Sequence, residues 1–376
     1  MKLIHLTAKR FAHLSADNVY IENLANNFFK LLGGGYLLVV GNKSSEQFKN
    51  LKTINLHLWT WGKSAWFYFW LPYIYYFFWL PCFILARKVK NSEIVYFSSD
   101  ANLLIILIFW KKFFRLKFKI CSDWHMLYNN FKDKFIPKNS DYLITTSEKL
   151  KKLIINRSGV NARKINVVYG GVDVSNYQSV PKSRQELGLP EDKKLVGYIG
   201  LFKTMGMEKG IKTMIAALPH LPTDIVMVFV GAKPGQSEEY QKYAEEIGVL
   251  NRCIFIDMQP AKKIPFYEKV MDALVIPYPD QPHFRDWGFP MKVYEYMAAR
   301  KPIIYSKLDL VEEVIGDCAI GFKAGDAKDL ADKINYILNQ ENKIEIDNKI
   351  EIAYKKVQNF GWEEKAKNIL NILKND

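Results

Sequence analysis

Cysteine is scarce in this chain, and its spacing excludes several classes of protein. The 376 residues include only four cysteines, Cys82, Cys121, Cys253 and Cys318, with no C-x-x-C pair among them. This pattern is unlike a disulfide-stapled secreted domain or a thiolate metal site. The residues after Met1 show no signal-peptide pattern, so we expect a protein of the reducing cytoplasm.

Motifs that hold metal ions are also lacking. The sequence contains no D-x-D motif, and its six histidines show no spacing typical of metal ligands. We therefore expect a site that works without a metal or another bound cofactor.

No repeat of fixed short period occurs, and short apolar runs instead alternate with longer amphipathic segments. This alternation is typical of parallel strands connected by helices, and the length exceeds what one hydrophobic core usually supports. The sequence predicts an α/β fold with Rossmann-like domains at 1–175 and 176–358 and a helix at about 360–376 that packs back on the first. The predicted strands are residues 2–7, 36–42, 93–98, 118–123, 141–147, 164–173, 194–200, 224–231, 253–258, 273–278, 302–306 and 319–325.

One apolar stretch has three competing explanations. WFYFWLPYIYYFFWLPCFILA, residues 66–86, contains no charge and is as long as a membrane-spanning helix. Pro72 and Pro81 interrupt it, and its Trp and Tyr residues prefer the membrane interface to the bilayer centre. The stretch is a membrane span, a buried domain wall, or an apolar face that lies in the membrane interface.

Positive charge is concentrated in the same half of the chain. Residues 110–164 hold fourteen Lys or Arg residues against four Asp or Glu residues, a net charge of +10 in a chain of net charge +14. A basic segment with interleaved phenylalanines attracts anionic lipid or nucleic acid, although such runs also occur on ordinary solvated surfaces. No nucleic-acid-binding motif is present. We therefore expect an anionic membrane surface, on the inner face of the cell membrane, and no nucleic acid as partner.

Two motifs in the second half favour a phosphate-containing ligand. YIGLFKTMGMEKGI, residues 198–211, is a predicted strand, a glycine-containing loop and a helix start, with Lys209 just before the helix. Glycines let the backbone approach a diphosphate, and helix N-termini attract anions. In DWGFPMKVYEYMAARKPIIYS, residues 286–306, Lys292 and Glu295 share one face of a predicted helix, either as a simple ion pair or as ligands of a nucleotide.

The combination of these motifs resembles glycosyltransferase family 4, the retaining nucleotide-sugar glycosyltransferases of the GT-B fold. The segment EKG is followed about 85 residues later by P-x-K-x-x-E-Y-M-A, as in that family. Other segments are similar as well: SDWH at 122–125, DYLITTSEKLKKLI followed by KINVVYGGVD, and FGWEEKAKNIL at 360–370.

The resemblance implies two Rossmann-like domains that face each other across a cleft, and it implies a role for individual residues. The implied catalytic residues are Lys209 for the donor diphosphate, Glu295 for the nucleotide ribose and His125 for the donor sugar. The implied donor-binding residues are Gly200, Lys203, Gly210, Gly288, Phe289, Pro290, Met291 and Lys292. The residues implied to face the leaving phosphate and the acceptor are Ser15, Ala16 and Asp17.

The sequence departs from the family pattern at two positions. Leu201 stands where many members have an arginine, so Lys203 is the nearest replacement cation. Trp287 stands where many members have a glutamate, which leaves the identity of the donor sugar open. The resemblance implies a retaining, metal-independent hexosyltransferase that moves a sugar from a UDP- or GDP-sugar to a glycan or lipid-linked glycan in bacterial surface polysaccharide assembly. The competing interpretation is a nucleotide-sugar-binding protein of the same fold with impaired turnover.

Overall fold

The structure, a computed structural model, describes residues 1–8, 16–34, 36–40, 52–56, 65–86, 94–179, 182–288 and 290–374. The chain divides into an N-terminal unit, Met1–Tyr169 with Trp362–Asp376, and a second unit, Gly170–Gly361. The predicted site residues Ser15 and Phe289 lie outside the described residues, as do the last two residues of the predicted strand 36–42.

The N-terminal unit is built on a parallel sheet whose strands are mostly buried, as expected where helices cover both faces. Its strands are β1 (Lys2–Thr7), β2 (Tyr36–Val40), β3 (Lys52–Leu56), β4 (Ile94–Ser98), β5 (Lys119–Trp124), β6 (Tyr142–Thr145) and β7 (Ile165–Val167). Its first five helices are α1 (Ala16–Leu32), α2 (Ala65–Ala86), α3 (Ala101–Phe113), α4 (Lys132–Asn139) and α5 (Glu148–Ser158). The described strands pair in the order β3-β2-β1-β4-β5-β6-β7.

The second unit repeats this architecture. Its strands are β8 (Lys194–Ile199), β9 (Lys203–Thr204), β10 (Met207–Glu208), β11 (Ile225–Ala232), β12 (Cys253–Asp257), β13 (Ala273–Ile276), β14 (Ile303–Ser306) and β15 (Ile320–Phe322). Its helices are α6 (Ile211–Ala217), α7 (Ser237–Glu246), α8 (Ile264–Val270), α9 (Lys292–Ala298), α10 (Asp309–Ile315), α11 (Ala327–Leu338) and α12 (Lys343–Val357). Six parallel strands pair in the order β12-β11-β8-β13-β14-β15, and β9 and β10 form a small antiparallel hairpin.

Each sheet has a point where the strand order reverses. In the second unit the chain runs outward from β8 to β12 and then returns to place β13 on the other side of β8. In open parallel sheets, ligands bind at the carboxyl ends of the two strands that flank such a point. Gly200, which follows β8, and Pro277, which follows β13, therefore mark the expected ligand-binding edge of this unit.

The predicted strand 164–173 is wrong beyond Val167, where β7 ends. Gly170 and Gly171 have φ angles of 101° and 136°, which favour glycine, and the Gly171 amide donates to the carbonyl of Phe360 at 2.8 Å. This segment therefore forms backbone hydrogen bonds with the end of the second unit and does not extend the sheet of the N-terminal unit.

The last helix, α13 (Trp362–Lys374), belongs to the N-terminal unit and packs on α1. Its buried face repeats at helical spacing and consists of Trp362, Lys365, Ala366, Ile369, Leu370 and Leu373. One residue of this buried face is a lysine, although lysine is rarely fully buried unless it is paired.

The apolar stretch 66–86 lies entirely within helix α2, in spite of Pro72 and Pro81 inside it. Tyr76 and Leu80 are fully buried, whereas Ile74 is 48% exposed and Phe78 is 69% exposed. The helix thus has a buried face and an exposed apolar face. No helix in the described part of the chain is long and apolar enough to cross a membrane.

Candidate functional site

The glycine after β8 makes room for a lysine from α9. Gly200 has a φ angle of 148°, and a Cβ atom there would overlap the Lys292 ammonium. Lys292 Nζ donates to the carbonyl oxygen of Ile199 at 2.5 Å and lies 5.2 Å from the centre of the Tyr198 ring. The sequence-predicted residues Gly200 and Lys292 therefore meet at the carboxyl end of β8.

A tyrosine fixes α9 against the same strand end. The Tyr296 hydroxyl accepts a hydrogen bond from the Ile199 amide at 2.9 Å. Glu295 is the residue before it, one helical turn after Lys292. The helix that carries the two predicted nucleotide ligands is thereby held at the edge where strand order reverses.

Lys209 lies in the same electrostatic environment. Burial and, to a lesser extent, the nearby Lys292 charge lower the pKa of Lys209 to about 7, against the opposing effect of the Glu295 carboxylate. The ammonium lies 5.9 Å from the centre of the Tyr278 ring, just after β13. In the described part of the chain Lys209 has no ion pair. Its position leaves positive charge available for an anion.

The helix start behind Gly210 is already capped. Gly210 has a φ angle of 88° and packs so closely against the Pro277 carbonyl that a Cβ atom would overlap it. Glu208 Oε1 accepts hydrogen bonds from the amides of Ile211 and Lys212. A phosphate that used these amides would have to displace the Glu208 carboxylate, so Lys209 is the better-placed anion ligand of this loop.

Lys203 is engaged elsewhere. On β9, its ammonium forms an ion pair with Glu239 of α7 at 2.6 Å, and Lys212 pairs with the same carboxylate at 2.8 Å. The structure therefore places Lys203 beside Glu239, whose carboxylate pairs with two ammonium groups.

The loop before α9 uses its own polar groups. A π-helical turn covers His283–Trp287, and the Gly288 amide donates to the His283 carbonyl at 2.6 Å. Burial and the nearby Lys209 charge both lower the pKa of His283, which places this ring near the cationic site. Pro290 and Met291 then accept hydrogen bonds from Val293 and Tyr294 and start α9.

His125 belongs to a separate polar cluster in the N-terminal unit. Its Nε2 lies 3.0 Å from Asp123 Oδ2, which also accepts a hydrogen bond from the Tyr20 hydroxyl at 2.7 Å. Lys365 from α13 lies 5.6 Å from the centre of the Tyr20 ring. Ala16 and Asp17 start α1, on which Tyr20 lies, but the structure does not describe their side chains.

The comparisons with known proteins address the second unit directly. Residues 179–356 match the family described as glycosyl transferases group 1. The matched segment covers almost the whole of the second unit and contains Lys209, Lys292 and Glu295.

Two curated relatives match over more of the chain than the family model does. The chain is 29% identical to spore coat protein SA of Bacillus subtilis over 61% of this chain and 64% of that protein. It is 26% identical to the lipopolysaccharide 1,2-N-acetylglucosaminetransferase of Salmonella typhimurium over 66% of each chain. Each match therefore spans about two thirds of the relative's length.

The structure of Anabaena HepE in complex with UDP superposes with a TM-score of 0.73 at 16% identity over 99% of both chains. At that identity the likeness establishes the fold alone. The predicted α/β GT-B fold with two Rossmann-like domains is confirmed.

Sequence reasoning missed one buried acid in the second unit. Glu268 on α8 is fully buried, and its Oε2 accepts a hydrogen bond from the Tyr177 hydroxyl at 2.6 Å. Burial and the neighbouring Glu295 charge raise its pKa well above the ordinary value, although Tyr177 and Lys292 oppose this shift. Tyr177 and Glu268 lie 91 positions apart in the chain, and nothing in the sequence links them.

Sequence reasoning also missed the partners of His125, although SDWH drew attention to Asp123. Tyr20 and Lys365 come from the two ends of the chain and meet only when α13 packs on α1. A signal for Lys365 was available: it is the one basic residue at a position of α13 where the spacing of Trp362, Ile369 and Leu373 demands an apolar side chain. Among the described residues, no group of three or more His, Cys, Asp or Glu side chains is arranged to hold a metal ion.

Proposed function

We propose that this protein is a retaining, metal-independent glycosyltransferase of family 4. It transfers a hexose from a UDP- or GDP-sugar to a glycan acceptor in the assembly of bacterial surface polysaccharide.

 The acceptor that we propose is a lipid-linked glycan, and the enzyme works on the cytoplasmic side, peripherally bound to the inner face of the cell membrane. The name of the Salmonella relative supports the transfer of a sugar, and the UDP complex of HepE supports a nucleotide-sugar donor.

The observation that carries the proposal is the grouping of Lys209, Lys292 and Glu295 at the point where strand order reverses. Two ammonium groups face one carboxylate there, so a nucleotide diphosphate adds the negative charge that the site lacks. A carboxylate on α9 is suited to the two hydroxyls of a ribose. The second unit thus offers ammonium groups for the diphosphate of the nucleotide and a carboxylate for its ribose.

In the proposed reaction, the bond between the sugar C1 and the phosphate oxygen breaks, and a bond from C1 to the acceptor oxygen forms on the same face of the sugar. The acceptor proton passes to the departing phosphate oxygen, so the products are the glycoside and the nucleoside diphosphate. Lys209 stabilises the charge that develops on the diphosphate, which is often the largest catalytic effect in group transfer. His125 positions the substrate.

A nucleotide panel tests the donor site. We expect UDP or GDP, but not both equally, to raise the melting temperature of the full chain, and Glu295→Ala to remove most of that rise. The control is Glu341→Ala, because Glu341 is an exposed carboxylate of the same unit. A flat response to every nucleotide would contradict the donor site.

Product analysis then tests turnover. We expect the anomeric configuration of the donor to be kept in the product, and the rate to persist in EDTA. Nucleotide binding without any release of nucleoside diphosphate to any acceptor would favour the binding protein with impaired turnover.

The proposed membrane contact rests on an aromatic strip, which we define as Ile74, Phe78, Phe109, Phe113 and Phe114. Phe113 is 65% exposed and Phe78 is 69% exposed. The rings of Phe109 and Phe113 stack at 5.9 Å, and Phe77 bridges Phe78 and Phe109 with ring distances of 5.4 and 5.6 Å. The strip is therefore continuous across α2 and α3. Exposed aromatic surface of this kind is typical of membrane-interface contact.

Charge and shape next to the strip agree with a lipid surface. The exposed cations Lys112, Arg115 and Lys117 follow it directly at the end of α3. An apolar pocket of about 250 Å³ opens between α2 and α3 and is lined by Tyr73, Ile74, Phe77, Phe78 and Ile106. Basic side chains beside inserted aromatic rings bind anionic leaflets. We infer that this face, and not a nucleic-acid groove, accounts for the excess positive charge of the N-terminal unit.

Flotation with liposomes tests the membrane contact. We expect the protein to float with phosphatidylglycerol vesicles at low salt, and Phe113→Ser to weaken flotation about tenfold, as the loss of one inserted ring implies. Ile344→Ser is the matched control, because Ile344 is 86% exposed but lies on α12 of the other unit. Equal flotation of all three proteins would contradict the strip, and displacement by RNA would favour a nucleic-acid partner.

A further inference from the structure

The polar cluster around His125 has a defined pattern of donors and acceptors. Asp123 is 3% exposed, and its Oδ2 faces both the Tyr20 hydroxyl and His125 Nε2. Tyr20 also packs edge-on against the His125 ring, with centroids 4.5 Å apart. The imidazole is thus held by a hydrogen bond on one side and a ring contact on the other.

The protonation state of Asp123 determines which nitrogen of His125 carries the proton. An ionised carboxylate only accepts hydrogen bonds, so Nε2 must donate and carry a hydrogen. In the neutral ring, Nδ1 then has no proton and is an acceptor. The His125 side chain is 36% exposed, so this second nitrogen is within reach of a bound molecule.

A buried carboxylate stays ionised only if positive charge lies near it. Burial opposes ionisation of Asp123, but His125, Lys365 and the Tyr20 hydroxyl outweigh it and hold its pKa below the ordinary value. The other titratable groups that face Asp123 are His5 and Cys121, and burial keeps both neutral by lowering the pKa of His5 to about 4 and raising that of Cys121. Lys365 is therefore the one lysine or arginine that the described residues place near this carboxylate.

The Lys365 side chain is buried inside the N-terminal unit. It is 1% exposed, and its ammonium donates to the carbonyl oxygen of Val168 at 2.6 Å. Its charge acts on Asp123 through space, because the described residues show no direct ion pair between the two. The cation sits on a helix from the far end of the chain, held by packing on α1.

We propose that Lys365 is a positioning residue for His125: its buried ammonium keeps Asp123 ionised, and ionised Asp123 keeps the exposed Nδ1 of His125 free to accept a hydrogen bond from a substrate hydroxyl. The use of Nδ1 by substrate rests on the proposed function. The control of the ring by Lys365 does not.

Removal of the Lys365 charge changes the proton count of the Asp123–His125 pair. The pair then takes up a proton at higher pH, since one cation no longer competes with it. Whether that proton resides on the imidazole or on the carboxyl group, Nδ1 becomes protonated, because a protonated Asp123 donates to Nε2 and moves the ring hydrogen to Nδ1. The exposed nitrogen turns from an acceptor into a donor.

Nitrogen-15 spectra of the histidine rings test this control directly. The signals of the full-length protein are followed over a pH series, and His125→Gln assigns the ring of interest. We expect the Nδ1 signal to show protonation at a pH about one unit higher in Lys365→Met than in wild type, and Lys365→Arg to behave as wild type. Lys367→Met is the matched control, because Lys367 lies on the same helix with a side chain that is 59% exposed.

Unchanged Nδ1 titration in a folded Lys365→Met protein would overturn the proposal. If Lys365→Met does not fold, Lys365→Gln replaces it, because the amide still donates to the Val168 carbonyl but carries no charge. The same two outcomes then apply.

Kinetics connect the ring to the proposed reaction. We expect Lys365→Met to raise KM for the sugar donor about tenfold with a smaller change in kcat, and Lys365→Arg to restore KM. A wild-type protein without transferase activity, whose Nδ1 signal nevertheless follows Lys365, would refute the proposed function and leave this inference intact. An active transferase whose Nδ1 signal is the same with and without the Lys365 charge would support the proposed function and refute this inference.

Discussion

Each of the two units contains a buried or partly buried lysine, and the two lysines differ in what surrounds them. Lys365 in the N-terminal unit has Asp123 nearby and a carbonyl acceptor at 2.6 Å, and its pKa is lowered by burial only to about 8. Among the charges that act on Lys209 in the second unit, Lys292 has the largest effect; Lys209 has no ion pair among the described residues and a pKa of about 7.

The difference separates a structural charge from a charge that serves a ligand. A buried cation with an internal carboxylate has its charge partly balanced within the folded unit, so it responds little to what binds. A cation placed against another cation destabilises the empty site and is stabilised when an anion arrives. The charges around Lys209 therefore favour an anionic ligand, whereas those around Lys365 favour a fixed geometry.

The largest effect that we expect follows from removing the ligand-serving charge. Lys209→Met should lower kcat/KM for the nucleotide-sugar about a thousandfold, because the departing diphosphate loses its main cation. The melting temperature without nucleotide should stay the same or rise. Lys262→Met, at an exposed lysine of the same unit, should leave the rate unchanged. A Lys209→Met protein with the wild-type rate would place the diphosphate elsewhere.

Removing the internal carboxylate should instead destabilise the N-terminal unit. Asp123→Asn leaves the Lys365 ammonium buried without a nearby negative charge and weakens the hydrogen bonds to Tyr20 and His125, and we expect a loss of about 1–3 kcal/mol in the free energy of unfolding. Urea unfolding measures it. The double variant Asp123→Asn/Lys365→Met should recover part of the loss, and a single variant as stable as wild type would show that the two charges do not interact.

A third buried basic side chain, that of His5, extends the comparison of the two lysines. His5 is fully buried, and neither of its ring nitrogens has a hydrogen-bond partner among the described residues. Its folded-state pKa of about 4 lies below the ordinary 6.5, so the unfolded chain binds the proton more readily between these values. Stability should therefore fall by up to about 3 kcal/mol as the pH drops from 6.5 toward 4. In His5→Leu, urea midpoints should lose that part of the pH dependence.

The pH dependence of nucleotide binding tests Lys209 without mutation. Because its pKa of about 7 lies near neutrality, Lys209 in the free protein loses its charge as the pH rises above that value. Nucleotide affinity should therefore fall by up to about tenfold per pH unit between pH 7 and 9. Calorimetry in two buffers should also show proton uptake on binding. Lys209→Arg should bind with a flat profile over the same range, and a flat wild-type profile would contradict the shifted pKa.

The smallest effect should come from the cation that is already paired. Lys203→Ala should weaken nucleotide binding by no more than about threefold, because Glu239 lies 2.6 Å from the Lys203 ammonium and screens it from a ligand. Titration of the variant measures this. A loss of a hundredfold would mean that Lys203 leaves Glu239 and replaces the arginine that the family pattern has at Leu201.

Hydrophobic patterning was sufficient to locate most of the sheet. The strands predicted at 2–7 and 194–200 are β1 and β8 to within one residue, because continuous apolar runs bounded by polar or glycine residues leave little choice. Strand β3 was missed, since KTINL is short and half polar. The strand predicted at 164–173 was overextended, because the Gly170 and Gly171 conformations depend on a distant carbonyl of Phe360.

The site divides in the same way. Lys209, Lys292 and Glu295 lie in local motifs, so their sequence positions were enough to suggest a common role. Glu268, whose charge acts on Lys292, and its partner Tyr177 are brought together by the packing of elements far apart in the chain. The spacing of a motif identifies ligands, but it does not identify the buried groups that set their charge.

The backbone hydrogen bond between Gly171 and Phe360 joins the two ends of the second unit. Since the polypeptide enters and leaves the second unit at neighbouring backbone positions, joined also by the bridge between Val172 and Gly361, this unit is an insertion within the sequence of the other. A premature stop after Gly361 would leave the inserted segment complete. The damage would fall on the host segment, which would lose α13 and with it the cation beside Asp123.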